Sequence, residues 1–230
     1  MSFINVRTKA RSRFSEVSTY LNYVASIEPE NIRDPAPLEV KIMRGLFQVH
    51  LYSALEKTVN ELIENTLNYI SSNNVKSLHY ANSFKSISLI NKLKAFRDCK
   101  FDNFFMKASE IFSEMESDSP LSISESVFSS SLQNVWTKTI VEIVNTFGIK
   151  GFVVDPITKT IIDELVERRN AVAHGRESAS VVGERFRTNV LRTRYATIVQ
   201  FADQLIDLFE LFYNNKQFIK PYAKKHYSLV

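Results

Sequence analysis

The apolar positions of the chain recur at steps of three and four residues over most of its length, which is the spacing of one face of an α-helix. The longest such stretch runs from Leu38 to about Ile70 without a proline, and Gly45 is its only weak point. At ~1.5 Å per residue, an unbroken helix of this length would extend roughly 45–50 Å. The pattern therefore predicts one long helix early in the fold.

Six further stretches show helical spacing and are separated by turns rich in proline, glycine or serine. They lie at residues 7–27, 84–96, 101–115, 132–147, 157–173 and 185–212. No internal repeat is present, and no strand pattern competes with a helix. The sequence predicts the all-α class: one helical bundle of about five to seven helices over residues 1–230, with a basic tail at about 214–230 that frays.

Composition limits the classes of protein to which the chain can belong. The chain has 230 residues, 44% of them apolar, which is enough to form a substantial hydrophobic core. No apolar run approaches the roughly 18 residues that span a bilayer, so no membrane partner is expected. Cys99 is the only cysteine, which excludes an intramolecular disulfide and a multi-cysteine zinc site. We expect a cytoplasmic protein with neither metal nor cofactor.

Positive charge is concentrated in one segment. Residues 168–194 hold seven arginines and two glutamates, a net +5, and the chain as a whole carries +4. Clustered arginine next to one motif is typical of a site for a phosphate-bearing partner. The alternative is an ordinary solvated helical face.

The cluster begins with a motif in which Arg169 and His174 stand five positions apart, followed by Gly175. Arginine can hold a phosphate with a planar fork of donors, and histidine can move a proton near neutral pH. On an ideal helix the two residues are about 140° apart, so their side chains converge only if His174 lies in the last turn. Gly175 is well placed to end the helix there. A purely structural cap, in which the arginine pairs with a carboxylate and the histidine binds the last carbonyls, is the alternative.

The segment from Leu165 to Gly175 resembles the catalytic segment of the HEPN superfamily, whose signature is R-x4-6-H. It is most similar to the prokaryotic group found in toxin and phage-defence loci. Residues 38–60 resemble the long early helix of that family, and residues 198–212 resemble its closing helix. One subclass carries a tyrosine two residues after the histidine; here that residue is Arg176, so regulation by adenylylation of such a tyrosine is not expected.

The resemblance implies a domain that dimerises, brings two Arg–His pairs into one cleft and cuts RNA without metal. His174 would act as general base on a ribose 2′-hydroxyl, Arg169 would stabilise the phosphate, and Asn170 would orient the histidine or the phosphate. The products would carry 2′,3′-cyclic phosphate and 5′-hydroxyl ends. An antitoxin or a sensor protein would be a natural partner for such an enzyme.

Supporting residues are expected around this pair. Glu56 stands where the family often has an acid, and it would orient Arg169 or His174; a surface salt bridge is the alternative. The arginines expected to bind RNA are Arg168, Arg176, Arg185 and Arg187. Two other functions remain open: a non-catalytic HEPN module that binds RNA or a protein partner, and a structural helical adaptor without RNA affinity.

Overall fold

The structure is a computed structural model that describes residues 3–31 and 33–229. These residues contain nine α-helices, several short 3₁₀ turns and no named β-strand. The helices are α1 (Ile4–Ser26), α2 (Leu38–Ser72), α3 (Lys85–Ser88), α4 (Ile90–Arg97), α5 (Phe104–Met115), α6 (Thr137–Phe147), α7 (Pro156–Ala173), α8 (Ala179–Glu184) and α9 (Thr188–Asn214). Six of them have eleven residues or more. The predicted all-α class is confirmed.

The 35-residue helix α2 is the centre of the architecture. Helices α1, α7, α8 and α9 all pack against it. Because it has neighbours on several sides, its buried residues, such as Leu51, Tyr52 and Ala54, occupy more than one face. Each large apolar side chain buried in this way contributes roughly 1.5–3 kcal/mol. The predicted long helix is therefore the element against which the others are placed.

Two predicted helices have different bounds in the structure. The stretch 84–96 is interrupted at Leu89, between α3 and α4. The stretch 185–212 begins later than predicted, because Arg187 has an extended backbone and α9 starts at Thr188. The Thr188 N–H and hydroxyl both donate to the Glu28 carboxylate. That carboxylate comes from the end of α1, so a distant contact fixes where α9 begins.

Two glycines let α8 lie directly on α2. A Cβ added to Gly45 would be 1.9 Å from the Ala179 carbonyl oxygen, and one added to Gly183 would be 1.8 Å from the Lys41 carbonyl oxygen. Real Cβ atoms do not approach backbone so closely, so only glycine permits this crossing. The sequence analysis identified Gly45 as the weak point of the long helix. In the structure, Gly45 is the residue at which α8 crosses α2.

The predicted fraying of the basic tail is wrong. Phe218, Ile219 and Ala223 are buried in the main core. The Ala81 N–H donates to the Phe218 carbonyl, and the Lys220 N–H donates to the His79 carbonyl. The many lysines of this segment suggested an exposed tail, but the few apolar residues between them pack back onto the bundle.

Candidate functional site

The motif lies at the end of α7. The Asp155 carboxylate caps the start of this helix by accepting from the Ile157 and Thr158 N–H groups. At the other end, Gly175 has φ +67° and its N–H donates to the Val172 carbonyl at 3.1 Å. The next N–H donates to the Ala171 carbonyl at 2.9 Å, which completes a Schellman motif. His174 is thus the exposed last residue of the helix, as the sequence predicted.

Arg169 is fixed from three sides. Its Nη2 donates to both Glu56 carboxylate oxygens at 3.1 Å, and its Nη1 donates to Asn170 Oδ1 at 2.9 Å. Its guanidinium carbon lies 4.2 Å from the centroid of the Tyr52 ring. A guanidinium has five N–H donors, so these three hydrogen bonds leave Nε–H and one Nη1–H for a ligand. The cation is therefore oriented before any ligand binds.

Tyr52 completes this arrangement and was missed by the sequence analysis. Its hydroxyl donates to Glu56 Oε1 at 3.0 Å and accepts from the Val135 N–H at 3.1 Å. Burial raises the pKa of Tyr52 to about 12, so the phenol keeps its proton and can donate at neutral pH. Tyr52 lies one helical turn before Glu56 on the same face of α2. That i,i+4 spacing was the signal that could have identified it.

His174 is not part of this hydrogen-bonded group. Within the described part of the chain, its side chain makes no hydrogen bond or ion pair, and Asn170 contacts Arg169 rather than the histidine. On an ideal helix the five-residue step also separates the two residues by ~7.5 Å along the axis. One copy of the chain thus holds the arginine in place and leaves the imidazole free at the protein surface.

A known protein family matches the part of the chain that contains this group. The model of the RiboL-PSP-HEPN family matches residues 8–215 of the chain, which include the motif, Glu56 and both long helices. The chain belongs to the HEPN superfamily. HEPN domains are often ribonucleases or RNA-binding modules. No curated protein and no solved structure matched the chain.

The arginines around the HEPN motif differ in whether they form ion pairs with carboxylates of the same chain. Arg185 pairs with Glu177 at 2.9 Å, and Arg187 pairs with Glu28 at 3.7 Å and donates to two backbone carbonyls. Arg168 and Arg176 form no ion pair with any described residue, and Arg168 Nε is buried without a hydrogen-bond partner. Of the four arginines expected to bind RNA, Arg168 and Arg176 are therefore the two whose charge is not balanced by a carboxylate of the described residues.

The remaining expectations concern metal and membrane. Across residues 3–31 and 33–229, no group of three or more histidine, cysteine, aspartate or glutamate side chains is arranged to hold a metal ion. Cys99 is a free, partly buried thiol. Among the described helices, none combines the length and apolar character needed to cross a membrane.

Proposed function

We propose that this HEPN domain is a metal-independent endoribonuclease of the cytoplasm. It cuts RNA by attack of a ribose 2′-hydroxyl on the adjacent phosphate and leaves 2′,3′-cyclic phosphate and 5′-hydroxyl ends. The observation that carries the proposal is the preorganised Arg169, held by Glu56, Tyr52 and Asn170 one and a half turns before an exposed histidine. Groups fixed in place before the reaction stabilise developing charge most effectively.

Each residue has one role in the proposed reaction. The His174 imidazole takes the proton from the 2′-hydroxyl, the 2′-oxygen bonds to phosphorus, and the bond from phosphorus to the 5′-oxygen breaks. The two free N–H donors of Arg169 bind the phosphate oxygens on which negative charge accumulates. The leaving 5′-oxygen takes a proton from an imidazolium or from water. Glu56 and Asn170 are positioning residues that act through Arg169.

A homodimer is part of the proposal, because the imidazole of His174 and the guanidinium of Arg169 do not contact each other within one copy. The outer face of α2 exposes Leu38, Ile42 and Leu46 at four-residue steps. This stripe lies on the half of α2 that packs against α8, the segment that follows His174 in the chain. Pairing two copies there would remove the stripe from water and bring two Arg–His motifs toward one cleft.

RNA cleavage in excess EDTA is the decisive measurement. We expect the purified wild-type protein to cut RNA into fragments with cyclic phosphate ends, and to leave DNA of the same sequence intact because DNA lacks the 2′-hydroxyl. His174→Ala should remove cleavage and keep the fold, since the side chain is exposed and has no described partner. His226→Ala changes another exposed histidine and should leave cleavage unchanged.

Three results would contradict the proposed ribonuclease activity. Cutting by His174→Ala at the wild-type rate would reject the histidine mechanism. RNA binding without cutting, by a protein whose dimer is intact, would assign the site to the non-catalytic HEPN module instead. If the wild-type protein does not bind RNA and the Arg169→Ala change does not alter its behaviour, a structural adaptor is favoured.

We also propose that the enzyme is a toxin or an anti-phage defence effector restrained by an antitoxin or released by a sensor protein. A ribonuclease that needs no metal is active wherever RNA is present, so a cell must control it. Induced expression in a bacterium should arrest growth, and His174→Ala should relieve the arrest at equal protein level. Growth arrest by both proteins would show that the toxicity does not come from RNA cleavage.

A further inference from the structure

The pair of helices α4 and α5, together with the turn between them, forms a hairpin that projects from the bundle. We call residues 90–115 the hairpin. Neither helix contains a buried residue. The hairpin touches the remainder of the molecule mainly through the 3₁₀ turn Ser77–His79 and through α3, and Lys85 Nζ donates to the Met115 carbonyl at 3.1 Å. The hairpin therefore contributes little to the core that folds the domain.

The outer face of α5 is aromatic. Phe101, Phe105 and Phe112 are 77%, 72% and 66% exposed. Phe105 and Phe112 lie seven residues apart on one side of α5, and Phe101, in the 3₁₀ turn before the helix, has its ring 6.3 Å from that of Phe105. Three such rings leave on the order of 400 Å² of apolar surface in water, given roughly 150–250 Å² for each aromatic side chain. A patch of that size is comparable to the largest apolar patch on a typical monomer, and such patches are often functional.

A groove runs beside this aromatic ridge. It has a volume of about 500 Å³, and its lining residues are mainly polar: they include Ser109, Ser113 and the charged Lys92, Glu110 and Glu114, together with Met106. Ridge and groove thus lie next to each other on one face of the hairpin. A twofold axis can bring such a face onto its own copy so that the two aromatic ridges meet and the polar grooves flank the contact, which makes the interface self-complementary.

We propose that this face binds the same face of a second copy of the chain, with the two α5 helices antiparallel. An axis between Ala108 and Ser109 places Phe105 of each copy opposite Phe112 of the other. The small residues at the crossing let the two helices approach closely, and the aromatic rings pack on either side of them.

Charge supports the antiparallel arrangement. The residues before the aromatic stripe are mainly basic (Lys94, Arg97 and Lys100), and those after it are acidic (Glu114, Glu116 and Asp118). Antiparallel pairing brings Lys100 of one copy near Glu116 of the other, and neither forms an ion pair with a described residue of its own chain. The acidic end of this face repels RNA and anionic lipid, so a second copy fits the whole surface better than either.

The proposed interface is separate from the HEPN site and does not rest on the ribonuclease. The hairpin lies beyond the end of α2 at Ser72, where Ser71 contacts the serine-rich segment that follows the hairpin. Glu56 is sixteen residues earlier on that helix, or ~24 Å along its axis. If the chain also forms a dimer through the HEPN site, each copy has two different interfaces, each with its own twofold axis. Such copies would assemble as pairs of dimers.

Sedimentation velocity of the full chain tests the interface. We expect Phe105→Glu/Phe112→Glu to halve the mass of the assembly, with an unchanged circular dichroism spectrum, because both side chains are exposed in the single chain. Val153→Glu is the matched control, since Val153 is 82% exposed and lies outside the hairpin; it should keep the wild-type mass. Equal masses for the double variant and wild type overturn the proposal. So does loss of RNA or vesicle binding without a change in mass, which would assign the face to that ligand.

A cross-link tests the orientation of the two helices. In a Cys99→Ser background, Ser109→Cys should form a disulfide-linked dimer under mild oxidation, whereas Ser15→Cys on α1 should not. Lys100→Glu should weaken assembly, and Lys100→Glu/Glu116→Lys should restore it. Absence of the cross-link together with no restoration by the double change contradicts the antiparallel arrangement.

Discussion

At the scale of single residues, the site depends on how one arginine is surrounded. Glu56 neutralises Arg169, Tyr52 supports its planar face, and Asn170 holds one of its edges. A lysine could balance the same carboxylate but could not bind two oxygens, a ring and a phosphate together. The geometry of the guanidinium therefore matters as much as its charge.

Arg169→Lys tests that distinction. We expect the rate of RNA cleavage to fall by at least about 100-fold, which is roughly 3 kcal/mol of transition-state stabilisation. Affinity for RNA should change much less, because the positive charge is kept. Single-turnover cleavage and RNA titration separate the two quantities. Full activity in this variant would mean that Arg169 has a structural role only.

Tyr52→Phe tests whether positioning through Glu56 contributes. The change keeps the ring beneath Arg169 but removes the hydroxyl, which leaves the Val135 N–H without its acceptor. Loss of a buried hydrogen bond costs about 1–3 kcal/mol of stability. We expect kcat to drop about three- to tenfold with KM nearly unchanged, measured well below the melting temperature. Because the pKa of Tyr52 is about 12, ionisation of this phenol should not affect wild-type activity below pH ~10. A change in KM alone would contradict a positioning role.

At the scale of elements, the crossing of α8 over α2 determines the position of the segment that follows His174. The crossing brings backbone to within van der Waals distance of backbone at Gly45 and Gly183. No side-chain rotation can relieve a clash there, so a methyl group must push α8 away.

Gly183→Ala should therefore destabilise the protein by at least ~2–3 kcal/mol and slow RNA cleavage, because α8 follows His174 by only a few residues. Gly151→Ala is the control: its added Cβ meets open space, so it costs only the strain of φ +79°. Urea denaturation reports stability, and cleavage by the folded fraction reports activity. Equal activities for the two variants would argue that α8 does not set the position of the motif.

A second element, the turn that holds the tail, contains a histidine with a lowered pKa. His79 Nδ1 lies 2.7 Å from the Tyr227 hydroxyl, and its ring stacks on His226 at 6.1 Å. Burial, Lys76 and His226 lower the pKa of His79, with smaller effects of Lys220 in the same direction and of Asp118 in the opposite one.

A base whose pKa is lower in the folded state stabilises the fold fully above its unfolded pKa of about 6.5, and that stabilisation is lost as the pH falls. We expect the urea midpoint of wild type to drop between pH 7 and pH 5 more than that of His79→Gln. The difference between the two proteins removes the contributions of the other histidines. Parallel curves would show that protonation of His79 does not affect stability.

At the scale of the whole molecule, one hydrophobic cluster joins the first helix to the last turns of the chain. It includes Phe14 of α1, Leu55 of α2, Phe209 of α9 and Phe218 of the tail. The tail is therefore part of the core rather than an appendage, and its removal should affect the entire domain.

Deletion of residues 217–230 tests this integration. The loss of Phe218 and Ile219 from the core, at roughly 1.5–3 kcal/mol each, should reduce the free energy of unfolding by at least ~3 kcal/mol. The measurement is urea denaturation of the shortened and full chains. As a control, Lys224→Ala/Lys225→Ala removes tail charge without removing the apolar anchors and should keep nearly full stability. A shortened chain as stable as wild type would contradict the packing of the tail.

The sequence by itself determined the elements that depend on local periodicity and on chain breaks. The helical spacing predicted α1, α2 and α7 almost to their ends, and Gly175 predicted the last turn of the motif helix, because capping is decided within a few residues. The Arg–His motif, in its setting between two long helices, also indicated the superfamily. These features follow from contacts between residues close in the chain.

Only the tertiary structure decided which distant residues meet. The start of α9 depends on Glu28, the crossing of α8 depends on Gly45, and the orientation of Arg169 depends on Tyr52 and Glu56. Two residues predicted to bind RNA also have carboxylate partners in the structure. Arg185 pairs with the nearby Glu177, and Arg187 pairs with Glu28, which is far away in the sequence. Periodicity gives the face of a helix that is buried, but the partner of that face is fixed by close packing among all the helices at once.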